Sequence, residues 1–168
     1  MRMKIIINKL IKVLDKEISL LRELLTIVEI ENKSIIDAKL ARLTKAKELK
    51  SALLVQMSRL EKQRLRIIET LAVNLNLDSG SLRLKKIIII VEDQYKRKLI
   101  QQRKDLKILT HRTHQMNKTN ESLISYLKSV VQESINLLEN LLVPKHLYAD
   151  NGKFKSSESI GKLISGTV

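Results

Sequence analysis

The stretch LIQQRKDLKILTHRTHQMNKTNESLISYLKSVVQESINLLENL, residues 99–141, decides how this chain folds. Its apolar residues return at steps of three and four with almost no break. Leu99, Leu106, Leu127 and Leu141 share one seven-residue phase; Leu109, Met116, Leu123, Val130 and Leu137 share its partner phase. That pattern is the a/d seam of a coiled coil or long bundle helix. Thr113, Asn120 and Ser134 stand at seam positions where Leu would be expected. A polar group in an apolar interface costs stability unless it is hydrogen-bonded, and a lone polar seam residue is a known device for fixing register and helix partner. These three are the polar-seam candidates. A rod built this way suits holding a partner better than enclosing a substrate.

Upstream, Ile7, Ile11, Leu14, Ile18, Leu21, Leu25 and Val28 trace one stripe, widened by Leu10, Leu24 and Ile27. The spacing predicts a first helix over 4–31, with Glu17 on the opposing charged face and a soft break at Asn32-Lys33-Ser34. A second helix is expected from near Asp37, whose carboxylate suits an N-cap. Its stripe runs Leu43, Ala46, Leu49, Leu53, Met57, Leu60, Ile67 and Leu71. Arg64 falls on the same face, where it either snorkels or meets a carboxylate on a neighbouring helix. Asn74 to Ser81 carries the strongest turn signal. The five β-branched residues Ile87 to Val91 have strand propensity, but a strand without a partner is unstable. The expectation there is a short, fully buried helix within 82–94. The long helix then runs from about Asp93 to Leu142, and Pro144 ends it.

Residues 143–168 are richer in Gly, Ser, Asn and Asp and lose the long apolar period. They read as a flexible C-terminal tail in which Ile160, Leu163, Ile164 and Val168 share a helical face, able to fold when a partner supplies apolar surface. The expected fold is all-α: an elongated antiparallel helical bundle or coiled coil of three long helices plus one short helix. Its bundle domain is 1–142 and its tail 143–168.

Composition agrees. Aromatic residues make up 2% of the chain, with four Gly and one Pro in 168 residues; packed helices manage on Leu and Ile, whereas strands, tight turns and ligand pockets draw on the others. There is no cysteine, hence no disulfide and no thiolate chemistry. Asn8, Lys9 and Lys12 interrupt the short apolar group Ile5 to Ile7 before a signal-peptide core forms, and no run approaches the ~20 apolar residues of a membrane span. The expected location is cytoplasmic, without membrane insertion. Gly80 and Gly152 are isolated, so no phosphate loop exists. His111 and His114 lie three apart with no third metal ligand at a recognisable spacing. No Ser–His–Asp spacing is present. The chain reads as a non-enzyme with no cofactor, no metal and no small-molecule substrate.

The formal net charge is +14, unevenly spread. Residues 37–72 carry nine Lys/Arg against four Asp/Glu, residues 83–112 ten against three, and residues 113–142 two against three. A basic field favours acidic partners, nucleic acid or membrane surfaces; a solvated lysine-rich face is the plainer reading.

Three features in order carry a family resemblance. The second helix has Lys50-Ser51-Ala52-Leu53-Leu54, then Met57, Leu60-Glu61 and Arg64. The long helix has Met116-Asn117, Asn120 and Leu123-Ile124. The tail opens with Leu147-Tyr148-Ala149-Asp150-Asn151-Gly152-Lys153. Together they resemble the FlgN family of flagellar type III export chaperones, with Ala149 standing where that family usually has Gly. The resemblance implies a cytoplasmic chaperone that binds hook-associated (hook–filament junction) proteins, prevents premature assembly and delivers them to the export gate. It implies gate docking through Tyr148 and the turn to Gly152. The apolar tail face of Ile160, Leu163 and Ile164 is the candidate cargo contact. The rival readings are a basic helical nucleic-acid-binding protein, which lacks aromatics for stacking and any specific reading motif, and a self-assembling coiled-coil scaffold.

Overall fold

A computed structural model describes residues 2–78, 80 and 82–142. It holds four helices: α1 (Arg2–Ile36), α2 (Leu40–Asn74), α3 (Leu84–Ile90) and α4 (Asp93–Leu142), with no strand among the described residues. The all-α helical bundle of three long helices and one short helix is as the periodicity predicts. The chain divides into two compact units after Tyr126. Of the second unit, the described part is the last four turns of α4, Leu127–Leu142.

In the first unit, cross-helix contacts fix the directions. Glu17 pairs with Arg64 and Glu31 with Lys50, so α1 and α2 run antiparallel. Gln102 meets Ile11 and Asp15, while Asn120 meets Val28 and Asn32, so this part of α4 runs parallel to α1. The order is up, down, up. Two apolar clusters fill the interior. One gathers Ile7, Leu10 and Leu14 of α1, Leu71 of α2, and Leu99 of α4. The other gathers Leu21, Leu24, Ile27 and Val28 with Ala46 and Leu53. Each fully buried Leu or Ile contributes about 1.5–3 kcal/mol of transfer free energy.

α4 begins at Asp93 and ends at Leu142 as expected, whereas the close of α1 and the start of α2 differ. α1 does not break at Asn32-Lys33-Ser34; it continues to Ile36 with Ser34 and Ile35 buried. It closes with the Ala38 N–H bonded to the Ile35 carbonyl (3.1 Å) and the Lys39 N–H to the Ser34 carbonyl (2.9 Å), a Schellman motif with Ala38 left-handed at φ 52°. That closure makes Lys39, not Asp37, the N-cap of α2, and no side chain caps it; the Asp37 carboxylate meets Lys39 Nζ instead (3.3 Å). α2 closes the same way, with Asn76 at φ 51° and the Leu77 N–H bonded to the Ala72 carbonyl. On α2, Ala46, Leu53 and Leu71 of the expected stripe are buried, while Leu49 is exposed.

The isoleucine run is helical, as expected, but not fully buried. Ile87 and the flanking Leu82 and Val91 enter the first cluster, whereas Ile89 is 68% exposed. A helix of one face can bury residues three to four apart and must turn the intervening ones outward.

Candidate functional site

Polar side chains cross the first unit in layers. The buried charged side chains of α1 are Glu17 and Glu31, in the seven-residue phase of Leu10 and Leu24. Glu17 thus faces the interior, correcting its assignment to the charged outer face. Its partner is Arg64, whose Nε donates to Glu17 Oε1 (2.9 Å) while Nη2 reaches Glu61 (3.7 Å). Burial raises the Glu17 pKa, and the guanidinium only partly offsets it. Near this layer Gln102 donates to the Ile11 carbonyl (2.9 Å) and to Asp15 Oδ1 (2.8 Å), and Lys98 pairs with the same carboxylate (2.8 Å). Partial burial pushes Asp15 up, but the hydrogen bonds from Lys98 and Gln102 and the Lys98 charge outweigh it, leaving its pKa below the ordinary value.

The second layer joins all three long helices. Lys50 Nζ donates to Glu31 Oε2 (2.8 Å) and to Asn117 Oδ1 (2.6 Å). Asn120, 2% exposed, donates through Nδ2 to the Val28 carbonyl (3.0 Å) and Glu31 Oε2 (3.4 Å), and its Oδ1 accepts from Asn32 Nδ2 (2.7 Å). Asn117 in turn donates to Glu121 (2.7 Å). The Lys50 and Asn32 side chains, the Val28 carbonyl and the bond between Asn120 and Glu31 thus satisfy one buried carboxylate and one buried amide. Such a layer fixes which residues of α1, α2 and α4 lie side by side, because a slip of one turn strands a charge.

The three seam candidates separate. Asn120 links helices. Thr113 is half-buried, with its hydroxyl lacking a hydrogen-bond partner among the described residues, beside a crevice of about 340 Å³ also lined by Lys50 and Asn117. Ser134 is exposed and donates to the Val130 carbonyl of its own helix (2.8 Å). His111 and His114 are exposed on α4, and the described residues contain no group of three or more metal-ligating side chains. Tyr148, Gly152, Ile160, Leu163 and Ile164 lie outside the described residues.

The second unit presents a different surface. The seam residues Leu127, Val130, Leu137 and Leu141 are all exposed, Leu141 by 72%, and so are Val131, Ile135 and Leu138 between them. This is a heptad seam that these residues do not bury. Sequence period alone gives no hint of that, because it is the same whether or not a partner helix is present.

Lys50 and Arg64 of α2 and Gln102, Asn117 and Asn120 of α4 join Glu17, Glu31 and Asn32 of α1 in holding the layers. A family model described as FlgN protein matches residues 1–156. The chain belongs to the FlgN family. That places it among flagellar export chaperones, a non-enzymatic class. No curated protein and no solved structure matches this FlgN-family chain. No helix among its described residues is long and apolar enough to cross a membrane.

Proposed function

We propose that this FlgN-family chain acts in the cytoplasm, binding hook-associated flagellar proteins, keeping them from premature assembly and delivering them to the type III export gate. Family membership over residues 1–156 carries the reading. The exposed apolar face of α4 from Leu127 to Leu141 supports it physically: junction proteins need a cover for apolar helical segments until export, and an exposed helical seam is the matching surface. The cargo contact continues from this face into the tail through Ile160, Leu163 and Ile164. Tyr148 and the turn to Gly152 dock the export gate. In this reading residues 143–168 are the tail that engages the client, beside the bundle domain of 1–142.

The test is recovery of the tagged full chain from its native cell, with mass spectrometry of what accompanies it. Hook-associated proteins are the expected companions; nucleic acid alone, or large assemblies of the chain alone, would replace this reading by one of its rivals. Deleting 144–168 should abolish cargo binding with helix content by circular dichroism nearly unchanged. Retained affinity would remove the tail from the contact.

A further inference from the structure

The α1–α2 pair has a second solvent-facing seam, lined by neither α3 nor α4, with a repeating chemistry. Two grooves of about 310 and 340 Å³ follow one another along it. Every lining position of the first recurs in the second one heptad away. The floor of the first is Val13 and Ile67, that of the second Leu20 and Leu60. Lys9 recurs as Lys16, Arg66 as Arg59, and Gln63 as Gln56; only Lys12 changes class, to Ser19.

The walls therefore present five cations, two amides and no carboxylate. None of the five cations is ion-paired among the described residues. Elsewhere in the same helices cations do find carboxylates, as Lys50 and Arg64 show. From Lys9 to Leu20 the seam covers about 18 Å, three helical turns.

We propose that this groove docks an acidic amphipathic helix of a partner polypeptide. An apolar floor recurring every seven residues accepts the knobs of a helix with the same repeat. Cations on both walls match carboxylates flanking that helix's apolar stripe. The floor favours a polypeptide over nucleic acid, which needs no apolar track and gains from aromatic stacking that this seam lacks. The site is independent of the apolar face of α4 and does not rest on the client reading.

The test titrates the full chain into a fluorescein-labelled peptide of about 18 residues, five turns, made of Ala, Leu and Glu. Leu forms one stripe with Glu on both flanks. A scrambled peptide of identical composition, duplex DNA and phosphatidylserine vesicles are run beside it at ~150 mM salt. The striped peptide is expected to bind saturably, at least about tenfold tighter than the scrambled one. Arg59→Glu/Arg66→Glu should weaken it at least about tenfold, while Arg97→Glu/Arg103→Glu, the same charge change on α4, leaves it within about twofold. Absence of binding, equal binding of the scrambled peptide, or equal loss in both double variants overturns the proposal. So does displacement of the striped peptide by DNA or vesicles at lower concentration than by unlabelled peptide.

Discussion

Lys50→Met is the most informative single change in the buried layer. Glu31 has a side chain only 5% exposed, and Lys50 is its one cationic partner among the described residues. Methionine keeps the stem packing and deletes the charge. The carboxylate is then left with Asn120 Nδ2 at 3.4 Å, and Asn117 Oδ1 loses its 2.6 Å donor. Stripping one partner from a buried pair costs about 3–5 kcal/mol. Lys50 itself is 23% exposed, so water reaches that side of the layer and the lower end applies, about 3 kcal/mol. For a chain of this size that lowers the melting temperature by about 6–12 °C. Chemical denaturation at pH 7 reads the energy directly. The double variant Glu31→Gln/Lys50→Met removes the stranded charge and should recover more than half of the loss. A cost below about 1 kcal/mol for Lys50→Met, or no recovery in the double variant, would show that the layer is solvated and does not hold the helices in register.

Three further outcomes follow from the geometry. Ala38→Gly should stabilise the chain by about 1 kcal/mol, since Ala38 holds φ 52° without benefit from its Cβ; a loss in denaturation midpoint would contradict the Schellman closure. Glu17 holds its proton more tightly folded than unfolded, so its contribution to stability is present in acid and lost as pH rises through its folded pKa. Arg64→Met, which leaves burial unopposed, should therefore cost about 1–3 kcal/mol at pH 7 and less at pH 4, whereas Glu17→Gln should be nearly neutral at pH 7; urea melts at the two pH values compare them. Finally, Leu137→Ser/Leu141→Ser should change stability by less than about 0.5 kcal/mol, as both are exposed, and a larger drop would mean that these leucines are buried in the folded chain.

The three long helices were legible because each carries a stripe at helical period over many turns, long enough to outweigh local noise. The ends of α4 were legible too, at Asp93 and Leu142, but the close of α1 and the start of α2 were not. Asn32, Lys33 and Ser34 look like a break by composition, yet Ser34 donates back to the Ile30 carbonyl (2.7 Å) and stays inside the helix. Asp37 looks like a cap, but its position was decided by the left-handed turn at Ala38, an unusual residue for that role. Half of the buried polar layer was readable: Asn120 by its seam phase, Arg64 by its face. The acidic half was missed because glutamate is a default surface residue; the phase shared by Leu10, Glu17, Leu24 and Glu31 is the signal that places both carboxylates inside. The exposed state of Leu127 to Leu141 was beyond the sequence, since a heptad does not say whether its partner is part of the same chain.

The most direct measurement is isothermal titration of the full chain with purified hook–filament junction proteins, wild type beside Leu137→Ser/Leu141→Ser. Saturable heat with at least one junction protein, weakened at least about tenfold by the two serines, is the expected result. No heat with any of them, or equal affinity in the variant, would contradict capture of the client by the open seam of α4.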